Sequence, residues 1–501
     1  MRLSISSLAL AVSGCLLVAS PAAADPFIWN SDGPIGQPGS PFVAGCQGPS
    51  AVGQSGRNFP GTKVEPWLAT KPGDGSKQVT FWQQDRWSNG GSNGLVEAYS
   101  IDGGSSWVQP PTAAQPKFSY CTGGSGVTGG YTRASDPWVT ISPNGNDWTM
   151  ALQADIGLTT SNANAMSVAR STTSGASWEP PILLKRDTSF NTLNDKNSLT
   201  ADRFDSRYVY AIWDRLEFPN DQAAAKAGEH AVGYRGPTWF SRSTNADAAS
   251  PTFSPARIIF DPGEVNQTIG NQIVQTRSGR LVDGFNLIYN FKNAHKVRGY
   301  NIAALTSDDH GATWSGAHII RNFVPGSVPG VRTGDIIPEI AADPSSENVY
   351  LVWQERSATT GLSTIMLSRS ADAGRNWSPP TVVNGDPSVQ AFTPAISVST
   401  NGALTITYYD FRAATSGSPY LTETWARHSH DGGLTWDDDQ RINGPFDQST
   451  AAIARGYFLG DYEGLGADGA EAFQSGRVVA DGSQATPSSD IEGDSGAGTT
   501  P

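Results

Sequence analysis

Three observations predict an all-β protein, a single β-propeller of six to seven four-stranded blades. An eight-residue pattern, S-x-D-x-G-x-x-W, returns at wide intervals as SIDGGSSW (100–107), SDDHGATW (307–314), SADAGRNW (370–377) and SHDGGLTW (429–436). The composition, with 55 Gly, 33 Pro, 15 Trp and only 16% charged residues, suits many short strands joined by tight turns. Between the copies, apolar strand-like runs recur in a fixed order with a period of roughly 60 to 70 residues, the mark of a stacked repeat.

The elements follow in order. Residues 1–24 carry Arg2 near the terminus, an apolar run over 8–19 and the small-residue end Pro21-Ala22-Ala23-Ala24, so they read as a secretory signal cleaved before Asp25, which makes the protein a secreted one. A lipid-attachment reading of Val12-Ser13-Gly14-Cys15 is opposed by the apolar run continuing through Leu16, Leu17 and Val18. No later stretch approaches the roughly 18 apolar residues of a membrane span. The propeller is expected over 25–480. Its inner strands start at Glu65-Pro66, Asp136-Pro137, Asp195-Lys196, Gly270-Asn271, Pro338-Glu339 and Thr393-Pro394. Second strands follow at 79–82, 209–213, 349–353 and 404–409, and the eight-residue turns close the third strands.

Two copies of the turn are degraded: STTSGASW (171–178) has Thr173 in place of the aspartate, and the copy at Ser243 is eroded beyond the serine. After the sixth blade the chain starts once more at Gly460-Asp461-Tyr462-Glu463, a fragment that residues 27–58 would complete as a seventh blade. Residues 481–501, rich in Gly, Ser, Thr, Asp and Pro, are expected to be a disordered tail.

In a propeller, chemistry belongs at the channel mouth, where the inner strands begin. Their starts bring Glu65, Asp136, Asp195, Lys196, Asp335 and Asp461 together with Arg332, and the second strands end in Asp85-Arg86 and Asp410-Phe411-Arg412. Each such pair also reads as a loop clamp, but gathering so many polar groups around a channel is costly without a ligand. The clustered oxygens would accept calcium, although no compact calcium-loop motif is present, and the scattered histidines argue against zinc. A net charge of −13 makes nucleic acid and anionic membranes poor partners. With Cys15 in the signal, Cys46 and Cys121 remain as a candidate disulfide in an oxidising compartment.

The eight-residue turn resembles the Asp-box, or BNR repeat, of the sialidase-like propellers, and the likeness spans nearly the whole mature chain. The resemblance implies rim turns with a structural role and a secreted, monomeric exo-acting glycoside hydrolase on terminal sugars, in which three arginines grip a carboxylate, a tyrosine activated by glutamate is the nucleophile and an aspartate is the acid/base. Arg86 matches the arginine that ends the first blade's second strand, and Tyr462 with Glu463 resembles the nucleophile pair. Arg332 and Arg412 are the further candidate arginines, and Asp136 the candidate acid. The chain departs from the pattern twice: Val64-Glu65-Pro66 replaces the family's Arg-Ile-Pro, and the loop 88–94 holds no acid. A glycan-binding propeller without chemistry, and a polysaccharide lyase with a tyrosine base, stand beside the hydrolase reading.

Overall fold

The computed structural model describes residues 27–46, 54–155, 163–218, 235–290, 297–467, 469 and 472–498; the expected signal segment lies outside them. The strands form seven blades. Blade 1 is Asn58–Lys71, Asp74–Trp87 and Ser92–Ser100, completed by an isolated bridge between Tyr99 and Val108. Blade 2 is Arg133–Ile141, Asp147–Ala154, Asn164–Ser171 and Ile182–Asp187, joined to blade 1 by the single pair Ser92 and Ala134. Blade 3 runs Thr192–Ala201, Val209–Glu217, Thr238–Ser243 and Arg257–Phe260. Blade 4 runs Asn266–Gln275, Leu281–Asn290, Val297–Ser307 and His318–Phe323. Blade 5 is Glu339–Ala342, Val349–Arg356, Ser363–Ser370 and Thr381–Val382, and blade 6 is Ala391–Val398, Leu404–Asp410, Leu421–Ser429 and Gln440–Asp447.

Blade 7 closes the ring: Gly464–Ala467, Ala472–Ala480 and Ser489–Gly498 are joined by the N-terminal strand Phe27–Pro34 at the outer edge. Successive inner strands neighbour one another from blade 1 around to blade 7, whose inner strand lies against that of blade 1. The expected disordered tail is thereby corrected over Ser489–Gly498, which pairs on both sides. Composition misled here because a strand between two partners needs ladder bonds more than apolar mass, and its glycines admit close neighbours. A Cβ at Gly496 would stand 2.5 Å from Phe27 Cε1 and 2.6 Å from Trp29 Cε2.

The rim turns are built as their residues dictate. In the turn at 307–314, Ser307 Oγ accepts from the Gly311 amide at 2.9 Å while Asp309 Oδ1 accepts from the Thr313 amide at 2.8 Å. His310 and Gly311 take positive φ in succession, 54° and 76°, the conformation the glycine is there to allow. In the degraded copies a neutral oxygen substitutes: Ser177's amide donates to Thr173 Oγ1, and Thr252's to Asn245 Oδ1. Because the third strand runs parallel to the inner one, these turns lie at the end of the propeller opposite the inner-strand starts. Between blades, Trp82, Trp148, Trp213 and Trp353 are fully buried. Cys46 and Cys121 are disulfide-bonded, with Cα atoms 5.5 Å apart, and tie the segment after the first strand to the loop after the first rim turn.

Candidate active site at the channel mouth

Five inner strands begin with the same irregularity. Two residues oppose one of the neighbouring strand at 65–66, 136–137, 196–197, 270–271 and 393–394. The first of each pair has positive φ: Glu65 53°, Asp136 51°, Lys196 43°, Gly270 73° and Thr393 47°. For a non-glycine residue that conformation costs on the order of 1 kcal/mol or more, and a bulge re-aims the side chain it carries. In blades 1 to 3 the re-aimed residues are Glu65, Asp136 and Lys196, and all three are buried.

They meet on Asp461. Lys196 Nζ lies 2.8 Å from Asp461 Oδ2, 3.5 Å from Asp136 Oδ2 and 3.7 Å from Glu65 Oε1. Arg332 grips the same carboxylate, its Nε 3.0 Å from Oδ1 and its Nη2 on Oδ2. Arg332 is delivered by a short parallel pairing of Val331–Arg332 with Tyr457–Phe458, and Gly334 lies so close to the Asp461 carbonyl that a Cβ would stand 1.8 Å from it. Glu65 Oε1 accepts from the Asp461 amide at 3.2 Å, and Glu65 Oε2 accepts from Gln83 Nε2. Gln83 Oε1 in turn accepts from Arg86 Nη1 at 2.5 Å, and Arg86 lies over the Phe458 ring. Arg86 Nε is buried with no hydrogen-bond partner in the protein, as is Asp136 Oδ2.

Asp195 accepts from the Lys196 amide at 3.0 Å, and Asp335 stands near enough to Asp461 for that charge to raise its pKa. Arg455, exposed at the rim with φ 68°, adds a third guanidinium beside Arg332 and Arg86. Tyr462 lies below the charged layer. Its hydroxyl donates to the Pro137 carbonyl at 3.3 Å, and its ring meets Trp67 and Trp138, which stack at 3.5 Å between centroids.

Burial pushes the Glu65 carboxyl up to about 7, with Lys196 opposing and Asp136 and Asp461 adding to the rise. Burial likewise lifts Asp195 and Asp335 to about 6. For Asp461, burial is overcome by Arg332 and Lys196, which hold it well below the usual carboxylate range. Burial also opposes the Lys196 ammonium, yet Asp136, Asp461, Glu65 and Asp195 together raise its pKa. The Tyr462 hydroxyl is pushed up, first by burial and then by the surrounding carboxylates.

Two expected site residues fall elsewhere. Glu463 follows Tyr462 in the chain but accepts from Tyr409 OH at 3.0 Å, while the Tyr462 hydroxyl goes to the Pro137 carbonyl, so the tyrosine–glutamate pair is not assembled. Arg412 belongs to the flank of blade 6, its Nε on Asp410 and its Nη2 on Asp439, each at 2.5 Å, with its guanidinium over Trp425. Calcium does not fit the mouth either: Lys196 Nζ takes the central position among Glu65, Asp136 and Asp461 that a divalent cation would need. Among the described residues no group of three or more His, Cys, Asp or Glu has the geometry to hold a metal. Gln83 and Arg455 escaped the sequence reading, Gln83 because an amide inside a strand carries no motif and Arg455 because it lies in the loop before blade 7, outside any repeat position.

No protein family and no curated protein matches the chain. Solved structures similar to it include a protein of unknown function from Dyadobacter fermentans, at 11% identity over 89% of this chain and 96% of that one, with a TM-score of 0.46. A Hadza microbial sialidase has 15% identity over 83% and 76% of the two chains, with a TM-score of 0.46. A Penicillium chrysogenum alpha-L-arabinanase complexed with arabinobiose has 10% identity over 94% and 98%, also with a TM-score of 0.46.

Proposed function

We propose that this protein is an exported, glycan-acting propeller enzyme, a glycoside hydrolase of sialidase-like architecture that works on terminal sugars at the channel mouth. The observation that carries the reading is Glu65, a buried carboxyl on a strained bulge whose pKa is pushed up to about 7. Glycoside hydrolysis asks for one carboxyl that keeps its proton near neutrality and a second that is ionised. Glu65 suits the proton donor. Asp136, paired with the Lys196 ammonium and with Oδ2 free of hydrogen bonds, suits the second carboxylate. Arg86, whose Nε has no partner, and Arg455 supply donors for a hydroxyl-rich or acidic sugar, while the Trp67–Trp138 stack backs the layer from below.

Tyr462 is a poorer candidate for nucleophile or lyase base than its sequence context suggests, because its hydroxyl is buried, committed to a backbone carbonyl and raised in pKa. With Glu65 in place of the first arginine and Arg332 committed to Asp461, cleavage of a simple sialoside should be weak. The test is a panel of fluorogenic glycosides, including a sialoside, a glucuronide and neutral hexosides and pentosides, on the mature protein beside Glu65→Gln and Asp136→Asn. Turnover of a member of the panel that falls by about 100-fold or more in Glu65→Gln supports the reading. Product absorbing in the ultraviolet would mark a lyase instead. One observation favours a binding propeller: Lys196 and Arg332 both satisfy Asp461 in a closed network. Retention on a glycan array with no turnover across the panel would establish that alternative.

A further inference from the structure

The channel has a second end. The last residues of the inner strands of blades 1 to 5 surround a cavity of about 230 Å³ that contains none of the charged mouth residues. The stacked indoles of Trp67 and Trp138 separate the two ends, lining this cavity on one side and meeting Tyr462 on the other. The walls are polar where the strands end. Thr200 Oγ1 donates to the Ile273 carbonyl at 2.7 Å, which leaves its lone pairs free to accept, and Gln272 Nε2 donates to the Pro338 carbonyl at 3.2 Å.

At the rim stands Arg203, just past the inner strand of blade 3. Its backbone amide is fixed on Gln275 Oε1 at 2.8 Å, but its guanidinium has no hydrogen bond, ion pair or ring partner among the described residues. Burial lowers its pKa, with Asp343 the opposing charge. Asp343 is itself engaged by the Ser345 amide and hydroxyl, each at 2.7 Å, and by the Ser346 hydroxyl at 2.6 Å. A half-buried guanidinium without a hydrogen bond or ion pair, on a cavity that two indoles also line, is an unfilled half of a recognition pair: planar donors suit a carboxylate, and an aromatic wall suits the C–H groups of a sugar ring.

We propose that this cavity binds one acidic sugar residue, its ring against the Trp67–Trp138 floor and its carboxylate on Arg203. The volume is below that of ordinary drug-sized pockets and holds one ring, not an oligosaccharide. The site depends on none of the mouth chemistry, and it would hold a terminal uronate of a polymer at the face opposite the mouth.

The test is binding of glucuronic acid to the mature protein, read by calorimetry and by quenching of tryptophan fluorescence, beside glucose and sodium sulfate. Millimolar binding of glucuronic acid is expected, with glucose weaker by roughly tenfold and sulfate alone leaving the tryptophan signal unchanged. Arg203→Gln, which removes no hydrogen bond or ion pair from the folded protein, should keep a cooperative unfolding transition, weaken glucuronic acid roughly tenfold and leave glucose unaffected. Arg375→Gln, at the exposed rim turn of blade 5, should change neither affinity. The proposal is overturned by no binding of either sugar, or by an Arg203→Gln protein that binds glucuronic acid as the parent does.

Discussion

The two faces of this propeller use the same side chain in opposite ways. At the rim turns, burial is the largest single influence on Asp309 and Asp372 and raises them, but the hydrogen bonds from Thr313 and Ser307, and from Asn376 and Ser370, together outweigh it and hold both at about 2. At the channel mouth, burial lifts Glu65 to about 7 and Asp195 and Asp335 to about 6. The rim aspartates are solved locally, each by amides within four residues of its own turn. The mouth carboxylates are solved only by the ring, since Lys196, Arg332 and Asp461 come from distant blades and loops. A local arrangement can be degraded piecemeal, as Thr173 and Asn245 illustrate, whereas the mouth is one coupled unit.

The sharpest way to break the coupled unit is Lys196→Ala. It strands Glu65, Asp136 and Asp461 without their shared cation, and denaturant unfolding at pH 7.5 should show a loss of roughly 3 to 5 kcal/mol. The loss should shrink at pH 5, where Glu65 and Asp195 can take up protons. An equal loss at both pH values would mean that the mouth carboxylates are not coupled to Lys196.

A smaller effect separates the faces by pH. Glu65 has a raised folded-state pKa, so the folded protein holds a proton between about 4.5 and 7 that the unfolded chain has lost, and stability should fall as pH rises through that window. The rim aspartates are depressed, so their contribution is present above about 4 and is lost as pH falls towards about 2. Glu65→Gln should remove a decline on the order of 1 to 3 kcal/mol between pH 4.5 and 7 and leave the acid limb unchanged. Smallest of all, Asp309→Ala should cost about 1 kcal/mol, seen as a modest shift of the unfolding midpoint, with no change in the pH dependence above 5.

What was legible in the sequence follows the same division. The intact turns could be read outright because each is written in eight contiguous residues, and the blades between them followed from strand period. The third blade and the closing blade were harder: Asn245 does the aspartate's work in an eroded turn, and Ser489–Gly498 is a strand whose partners lie at the opposite terminus and in the preceding hairpin. At the mouth, Glu65, Asp136, Asp195, Lys196, Asp335, Asp461, Arg86 and Arg332 were within reach because inner-strand starts converge in any closed ring. Side-chain direction was not. Glu463 turns away from Tyr462, Arg412 is drawn into the blade 6 flank by Asp410 and Asp439, and Gln83 and Arg455 join through contacts that no spacing announces.

The proposed role of Glu65 as the proton donor of a glycan-cleaving site is tested most directly by the pH–rate profile of kcat/KM on whichever glycoside of the panel the protein cleaves, measured for the parent, Glu65→Gln and Glu65→Asp. The parent should show a basic limb near pH 7, which should disappear together with about a 100-fold or greater loss of rate in Glu65→Gln and recover in part in Glu65→Asp. An unchanged basic limb in Glu65→Gln, or a variant that retains full rate, would contradict it.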